Sequence, residues 1–284
     1  MRWLLLDAGN TALKWEVIPS STTHWPGKSS SGVGQRWRGT IGIDSPELPA
    51  EIGRACAAAS ALTGTPTPSL IAGCAVTSRE NMERIDAAVR GSGAPPVTWF
   101  GAEKQFDHDR IQVQNEYRDP GQLGADRWHA LIGARARVGR GVLAVINAGT
   151  ATTVDGLSAE GRFMGGTIAP GLELMRSSLA AGTARLPLAK GQYVALPDNT
   201  ADAIHTGVLD AQIGYIERRI RRIREKAGGN VNLVIAGGNA AAIVAALEGE
   251  SGFARLVHDP DVVLWGLWHR ARANAAGALA RPAK

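Results

Sequence analysis

One short pattern occurs twice in this sequence and restricts its fold more than any other feature. Residues 4–14 read LLLDAGNTALK, and residues 144–155 read AVINAGTATTVD. In each copy an apolar strand runs into Asp or Asn, then Ala and Gly, and a second strand follows at once. This order is typical of a tight hairpin, because Gly and Asn tolerate positive φ. The corresponding residues Asp7 and Asn147 are 140 positions apart, about one domain length, so the repeat predicts a duplicated fold.

The first glycine hairpin (residues 4–14) and the second glycine hairpin (residues 144–155) have the chemistry to bind phosphate. Their turns carry no bulky side chain, so backbone N–H groups can approach an anion, while Asp7 is placed to hold a hydrated magnesium ion and Lys14 to meet phosphate charge. One copy alone would more often be an ordinary hairpin with a polar turn. Two copies indicate a polyphosphate held between two related domains. A third element, VIAGGN at residues 234–239, ends a strand in a Gly pair, against which a flat group such as adenine could lie.

The order of predicted elements indicates an α/β fold. The first half is expected to contain three strands, a helix over residues 46–62, a strand over 69–76, a helix capped by Thr77 or Ser78, and a strand over 97–100. The second half repeats this order with insertions, among them a long helix around residues 201–226, and closes with a helix from residue 261. Early antiparallel strands followed by alternating helices are typical of layered α/β domains.

Residues 114–134, between the halves, read QNEYRDPGQLGADRWHALIGA. Pro120 and Gly121 are expected to open a helix that carries Asp126 and Arg127 near its start. Its expected core residues are Trp128, Leu131 and Ile132. An adjacent Asp and Arg are often a simple surface pair. Near a domain junction, however, the Asp could accept a proton from a substrate hydroxyl while the Arg holds a substrate carboxylate.

Composition narrows the class of protein. The 284 residues are 44% hydrophobic and 20% charged, as in soluble globular proteins, and the formal charge of +5 suits an anionic small molecule as well as nucleic acid. The apolar run at residues 3–6 is too short for a signal segment, and no window approaches about 18 apolar residues, so a cytoplasmic protein without membrane contact is expected.

Cys56 and Cys74 are isolated and expected to be reduced core residues. The histidines show no zinc-binding spacing.

The strongest charge cluster is ERRIRRIREK at residues 217–226. Ile216, Ile220 and Ile223 fall at helical spacing, so the arginines are expected on the solvated or subunit-facing side of an amphipathic helix. Nucleic-acid binding is the less favoured alternative, because no aromatic interleaving or known binding motif accompanies the cluster. The Ser- and Gly-rich residues 20–34 are expected to form a loop, for which the sequence indicates no function.

Together, the two glycine hairpins, the GADR segment and the late Gly pair resemble type III pantothenate kinases, members of the acetate and sugar kinase, chaperone and actin superfold. The resemblance covers essentially the whole chain in the right order. The matching positions are Asp7, Gly9, Asn10, Thr11 and Lys14 for the pattern DxGNTxxK, Gly124, Asp126 and Arg127 for GxDR, and the pair Gly149 and Thr150. The resemblance implies an α/β fold of two duplicated actin-like (ribonuclease H-like) domains, at residues 1–118 and 119–284, with an ATP cleft between them.

The resemblance also implies an activity and a set of site residues. The protein would use ATP and Mg²⁺ to phosphorylate pantothenate to 4′-phosphopantothenate, the first step of coenzyme A biosynthesis, as a homodimer. Asp126 would be the general base that takes the proton of the primary hydroxyl. The ATP-binding residues would be Asp7, Ala8, Gly9, Asn10, Thr11, Ala12, Leu13, Lys14 and Thr150. The pantothenate-binding residues would be Tyr117, Gly124, Ala125, Asp126, Arg127 and, supplied across the dimer, Thr200.

One residue departs from the family pattern. In many relatives the second hairpin begins with an Asp that binds an activating monovalent cation such as K⁺ or NH₄⁺, whereas this chain has Asn147. The amide oxygen could coordinate a cation but lacks the full charge, so weak or absent potassium activation is expected.

Two other functions stay open: a regulatory accessory protein with weak or no kinase activity, and another phosphotransferase or a phosphatase of the same superfold. The intact Lys14, Asp126 and Arg127 oppose the first, and the GADR match opposes the second.

Overall fold

A computed structural model describes residues 2–19, 37–61, 67–186, 188, 190–248 and 253–279. The predicted loop at residues 20–34 lies outside the described residues. The described strands are β1 (Arg2–Ala8), β2 (Ala12–Pro19), β3 (Trp37–Gly42), β4 (Leu70–Ala75), β5 (Val97–Trp99), β6 (Gln105–His108), β7 (Ile111–Gln114), β8 (Val142–Ala148), β9 (Ala151–Leu157), β10 (Phe163–Pro170), β11 (Val231–Ala236) and β12 (Arg255–His258). The described helices are α1 (Leu48–Ala61), α2 (Arg79–Gly91), α3 (Ala125–Val138), α4 (Leu172–Gly182), α5 (Thr200–Ala227), α6 (Ala240–Leu247) and α7 (Val262–Leu279).

The described residues divide into two compact units. The first lies within Met1–Ile111, Tyr117–Ala136 and Val262–Lys284, and the second within Gln112–Glu116 and Arg137–Asp261. Each unit is assembled from separate segments of the chain, because most of α3 and the closing helix α7 belong to the first unit. The boundary predicted between residues 118 and 119 would instead divide the chain into two continuous domains, and it stays a prediction.

The first unit is built on a five-stranded sheet in the order β3-β2-β1-β4-β5. β1, β2 and β3 are antiparallel, whereas β4 and β5 run parallel to β1. Leu4 and Leu6 of β1 are fully buried in one core cluster with Ile52 of α1 and Ile85 of α2. Removing such side chains from water is the main favourable contribution to folding. Here it holds β1 in the core, and with it Asp7 near the end of that strand.

The second unit repeats this arrangement. Its sheet has the order β10-β9-β8-β11-β12, with β8, β9 and β10 antiparallel and β11 and β12 parallel to β8. The repeated strand order confirms the duplication that the two glycine hairpins predict. Ile216, Ile220 and Ile223 of α5 are buried in the core of this unit, as their helical spacing predicts. Three arginines of the charge cluster are exposed, namely Arg218, Arg221 and Arg222.

One predicted helix begins later than expected. Pro120–Gln122 form a separate 3₁₀ turn, capped by the Asp119 carboxylate, which accepts a hydrogen bond from the Gly121 N–H at 3.0 Å. Leu123 is then extended (φ −70°, ψ 127°), and α3 begins at Ala125. Pro120 and Gly121 therefore open the turn and not the helix, because the extended residue interrupts the helical hydrogen bonds. The predicted core residues of α3 are fully buried: Trp128, Leu131 and Ile132.

The sequence patterns do not predict β6 and β7, which pair as a two-stranded sheet. Their turn is formed by Asp109 and Arg110, both at positive φ (51° and 66°). Gly, Asn or Asp usually occupies such positions, because other residues pay a steric cost there. Asp109 is a usual residue in such a turn, but Arg110 stands where Gly is normally found, so the sequence signal for this hairpin is weak.

Helices α3 and α7 approach one another closely within the first unit. A Cβ atom at Gly266 of α7 would overlap the carbonyl group of His129 in α3, and one at Gly133 of α3 would overlap the carbonyl oxygen of Val262. Glycine at both positions lets the two backbones touch. Because α3 begins at Ala125, α7 supports the helix that presents Asp126.

Cys56 and Cys74 are buried free thiols, as their surroundings in the sequence predict. None of the helices in the described ranges is long and apolar enough to cross a lipid bilayer.

Candidate active site

The first glycine hairpin places an acid and a lysine at the end of β1. Asp7 is buried and lies opposite Lys14 of β2 and Cys74 of β4. The Gly9 N–H closes the turn by donating to the Ala12 carbonyl at 2.9 Å, and the two residues at the tip are exposed. The hairpin that the sequence predicts is thus present, with a buried carboxylate at its base and a polar tip in solvent.

Cys74 makes a contact that the sequence does not predict. Its thiol donates to Asp7 Oδ1 at 3.8 Å, and both groups are buried. The pair follows from the parallel pairing of β1 and β4, which sets these two residues side by side. Burial, and then the charges of Asp7 and Asp126, raise the pKa of the Cys74 thiol well above its ordinary value. The thiol therefore stays protonated and can act as a donor to the carboxylate.

Asp126 is half-buried in the first turn of α3. Its Oδ1 accepts from the Arg127 N–H at 2.7 Å. A Cβ atom at Gly124 would lie 2.7 Å from the same oxygen, so glycine at this position leaves room for the carboxylate. The buried Arg127 donates to the Tyr117 hydroxyl at 3.3 Å, and its guanidinium carbon lies 5.9 Å from the centre of the Tyr117 ring. The GxDR segment therefore presents an acid and a cation together, with Tyr117 orienting the cation.

Burial and charge set the protonation of the two acids. Burial is the main cause that raises the pKa of Asp7 from its ordinary 3.8 to about 6, while Lys14 acts against the rise and Asp126 adds to it. Burial also raises the pKa of Asp126, against the opposing hydrogen bond and charge of Arg127. A raised pKa makes Asp126 a better proton acceptor near neutral pH. A bound cation would favour ionised Asp7, and carboxylate oxygen is a ligand that Mg²⁺ prefers, so Asp7 fits a magnesium ion.

Without magnesium, the substitution Asp7→Asn is expected to raise the free energy of unfolding at pH 8 and to change it little near pH 4. The folded protein holds the Asp7 proton more tightly than the unfolded chain does, since the folded pKa is about 6. The wild-type free energy of unfolding therefore falls as pH rises from about 4 to about 6. Removing the titrating group should recover at most about 3 kcal/mol at pH 8.

Urea unfolding in EDTA at the two pH values measures this difference. Asp44→Asn, at an exposed aspartate, serves as the control, for which no such pH-dependent gain is expected. An equal stability change for Asp7→Asn at both pH values would contradict the assignment of the raised pKa to Asp7.

The second glycine hairpin joins β8 to β9 and closes like the first. The Gly149 N–H donates to the Ala151 carbonyl at 3.0 Å. Thr150 at the tip is exposed, and Asn147, which corresponds to Asp7, is half-buried. The second predicted hairpin is thus also present.

The predicted Gly pair lies directly against this second hairpin. β11 ends at Ala236, and Gly237 (φ 102°) brings its backbone so close to the Ala148 carbonyl that a Cβ atom would overlap it. Asn239 follows, and its N–H donates to the Ala148 oxygen at 2.9 Å while its Nδ2 donates to the Gly149 oxygen at 3.2 Å. The sequence points to the Gly pair but not to Asn239, because a residue in front of an Ala-rich helix is expected to be an ordinary N-cap.

Thr200 is the first residue of α5 and is exposed. The preceding Asn199 caps the helix by accepting from the Asp202 N–H at 3.0 Å. Thr200 borders an apolar groove between α4 and α5, whose lining includes Met175, Leu179, Leu186, Ile204 and Val208. Its hydroxyl is therefore held at a surface of the second unit by a well-capped helix.

The predicted site residues fall into both units. The first unit contains the segment Asp7–Lys14, together with Tyr117, Gly124, Ala125, Asp126 and Arg127, and the second contains Asn147, Thr150 and Thr200. Within the first unit, residues more than 100 positions apart in the sequence come close enough for the charge of Asp126 to act on Asp7.

Comparison with known proteins connects these features to one family. The type III pantothenate kinase family profile matches residues 3–222. A type III pantothenate kinase from Aromatoleum aromaticum is 42% identical over 273 residues, which cover 96% of this chain and 99% of that relative.

Two solved structures resemble the fold. A protein from Sinorhizobium meliloti described as a 2-dehydro-3-deoxygalactonokinase has a TM-score of 0.59 at 15% identity, with 96% of this chain and 99% of that chain covered. A protein from Campylobacter jejuni described as a conserved Baf family transcriptional activator has a TM-score of 0.56 at 18% identity, with the same coverage. At these identities the two structures support the fold alone. Together with the repeated sheets, they confirm the predicted α/β fold of two duplicated actin-like domains.

Proposed function

Because this chain belongs to the type III pantothenate kinase family, we propose that it transfers the γ-phosphoryl group of ATP to pantothenate, giving 4′-phosphopantothenate in coenzyme A biosynthesis. One observation on the site supports this function most directly. Asp126, half-buried and with a raised pKa, stands at the start of α3 beside Arg127, and its charge acts on Asp7 of the first glycine hairpin. An acid suited to accept a proton therefore lies near an acid suited to hold magnesium.

The proposed transfer is a single displacement in which Asp126 is the general base. Asp126 accepts the proton of the primary hydroxyl of pantothenate as the hydroxyl oxygen attacks the γ-phosphorus. The bond between that phosphorus and the β,γ-bridging oxygen breaks, and ADP leaves with the electron pair. Asp126 then releases its proton to solvent, which returns the site to its starting state.

The other site residues position the two substrates, and positioning supplies much of the catalysis in phosphoryl transfer. Arg127, oriented by Tyr117, binds the carboxylate of pantothenate, and Gly124 and Ala125 frame the same substrate. The segment Asp7–Lys14 contacts the phosphates of ATP. A magnesium ion held through water by Asp7 would neutralise charge on those phosphates.

A coupled assay of ADP release tests this function. The purified protein is incubated with Mg²⁺ and ATP, with and without pantothenate. ADP release that requires pantothenate supports the proposal, whereas ADP release at the same rate without pantothenate would argue for a different acceptor.

A regulatory accessory role without kinase activity is not favoured. Such a protein would be free to lose the residues of the chemical step, yet Lys14, Asp126 and Arg127 are all present. The exposed arginines of residues 217–226 would be its natural nucleic-acid surface. DNA binding that weakens steeply with salt, in a protein that leaves pantothenate unchanged, would favour this second function.

Replacing sodium with potassium or ammonium is expected to change kcat little. The Asn147 side chain offers a neutral amide oxygen where the resemblance to the family implies a carboxylate, so a monovalent cation would be held weakly. The matched variant Asn147→Asp restores the charge and is expected to respond more strongly to potassium. Assays in the three chloride salts measure this, and a strong rate increase of the unsubstituted protein in potassium would contradict the expectation.

A homodimer is proposed as the working form, with Thr200 supplied to the site of the partner copy. Thr200 lies in the same unit as several exposed apolar side chains, among them Tyr193 (54% exposed) and Leu196 (89% exposed). Exposed apolar side chains of this size are typical of surfaces that a partner covers. Light scattering that finds only monomer in the active protein would contradict this assembly.

The proposed compartment is the cytoplasm. Both cysteines, Cys56 and Cys74, are buried free thiols, which suits a reducing compartment. Fractionation that recovers the protein outside the cytoplasm would contradict this location.

A further inference from the structure

Asn239 occupies the N-cap position of α6, but its side chain makes no capping hydrogen bond with the helix. Its Nδ2 donates instead to the Gly149 carbonyl oxygen at 3.2 Å, and its backbone N–H donates to the Ala148 oxygen at 2.9 Å. An N-cap Asn normally uses its side-chain oxygen to accept from the first turn of its own helix. Both donor groups of Asn239 are thus directed at the second glycine hairpin.

The turn of this hairpin has its two carbonyl groups held by protein donors. The Gly149 oxygen is held by Asn239, and the Thr150 oxygen accepts from the Gly171 N–H at 2.8 Å. A carbonyl oxygen is the negative end of its dipole and repels phosphate. A backbone turn therefore binds an anion well only where its N–H groups face the anion and its oxygens are engaged elsewhere.

The loop that carries Asn239 is itself packed against the hairpin. Gly237 has φ of 102°, and a Cβ atom there would overlap the Ala148 carbonyl. The backbones of the loop and of the hairpin are thus in direct contact. A displacement of one would therefore move the other, and the two hydrogen bonds of Asn239 join this loop to Gly149 and Ala148.

We propose that Asn239 is a positioning residue for ATP, which locks the Gly149–Thr150 turn to the Gly237–Gly238 loop. The turn then binds phosphate and the loop binds the adenine base. Because Asn239 holds the turn and the loop at a fixed distance from each other, the two ends of the nucleotide can bind at the same time. Asn239 acts through the hairpin backbone and does not itself touch the reacting atoms. This inference rests on the proposed function, in which Thr150 contacts the ATP phosphates.

The substitution Asn239→Asp separates this role from helix capping. Aspartate is as good an N-cap as asparagine and has nearly the same shape, but its ionised side chain has no donor. The carboxylate would repel the Gly149 carbonyl oxygen, to which the Asn239 amide donates a hydrogen bond. Asn239→Ala removes both the donor and any cap. Asn230→Asp, at an exposed asparagine of the same unit, introduces the same charge away from the hairpin and serves as the matched control.

Isothermal titration with the Mg²⁺ complex of AMP-PNP, a non-hydrolysable ATP analogue, measures the effect. Asn239→Asp and Asn239→Ala are each expected to raise Kd about tenfold, because each breaks one part-buried hydrogen bond and leaves the Gly149 oxygen without this donor. Asn230→Asp should bind like the wild type. Asn239→Asp should stay folded, with a circular dichroism spectrum like that of the wild type and a Tm lowered by the loss of the hydrogen bond to Gly149. In the kinase assay, Asn239→Asp should raise KM for ATP and leave KM for pantothenate unchanged.

Three results would overturn the inference. Asn239→Asp could bind AMP-PNP as the wild type does, or Asn230→Asp could weaken binding equally, or the wild type could fail to bind AMP-PNP. The first would leave the contact between Asn239 and Gly149 without a role in ATP binding. The second would mean that the added negative charge, and not the lost hydrogen bond, weakens binding. The third would overturn the proposed function as well. A wild type that binds AMP-PNP but leaves pantothenate unphosphorylated would instead refute the function alone, because the titration needs no pantothenate.

Discussion

Replacing Asp126 with asparagine is expected to lower kcat by about 10²- to 10⁴-fold, the usual contribution of a general base. Asparagine has the same shape, and its Oδ1 can still accept from the Arg127 N–H, as the Asp126 oxygen does at 2.7 Å. Its amide cannot take the proton of the attacking hydroxyl. The fold and the binding of ATP should therefore be retained while the chemical step is lost.

Steady-state kinetics with ATP and pantothenate varied separately measure this effect. Asp210→Asn, at an exposed aspartate of α5, makes the same chemical change on the surface and should keep wild-type kcat. Circular dichroism spectra that match the wild type would exclude unfolding as the cause of a loss. An Asp126→Asn protein that keeps a substantial share of wild-type kcat would remove Asp126 from the role of base.

The second large effect is expected from Gly266→Ala, which should destabilise the protein by about 1–3 kcal/mol or more, the range for overpacking a close contact. The new Cβ atom would overlap the His129 carbonyl group of α3 and lie 3.0 Å from the Gly133 nitrogen. Either α7 moves away from α3 or the backbone distorts. Since α3 begins beside Asp126, the activity that survives should also fall.

Intrinsic helix propensity alone would predict the opposite change in stability for Gly266→Ala. Alanine in the interior of a helix is more favourable than glycine by about 1 kcal/mol, so without the contact Gly266→Ala would stabilise the protein. Gly53→Ala in α1 is the matched control, because a Cβ atom there meets nothing within 4 Å, and it should be neutral or stabilising. Urea unfolding of both variants measures the difference. A Gly266→Ala protein as stable as Gly53→Ala would show that α3 and α7 are not in backbone contact.

The strand and helix order could be predicted from local patterns because those patterns are strong. The two glycine hairpins have turn residues with a specific backbone preference, and Ile216, Ile220 and Ile223 repeat at helical spacing. The hairpin between β6 and β7 could not be predicted, because Arg110 adopts positive φ where Gly is usual. The start of α3 cannot be predicted from the sequence, because Pro120 and Gly121 open a 3₁₀ turn as readily as a helix.

Sequence motifs are enough to identify the candidate site residues. The pKa values and hydrogen bonds of these residues, however, depend on contacts with residues far away in the sequence. Asp7 has a raised pKa because β1 is buried and Asp126 lies near, and neither cause is visible in residues 4–14 alone. Cys74 looks like a plain core thiol in the sequence and becomes a donor to Asp7 only through parallel strand pairing. Asn239 looks like a helix cap until the second glycine hairpin is placed beside it.

The identity of the phosphorylated product is the most direct measurement of function. Mass spectrometry and phosphorus NMR of a reaction with ATP, Mg²⁺ and pantothenate should find one phosphoryl group on the primary hydroxyl of pantothenate, in an amount equal to the ADP formed. ADP without phosphorylated pantothenate, or pantothenate unchanged in sodium, potassium and ammonium alike, would contradict a pantothenate kinase and leave the regulatory function as the better explanation.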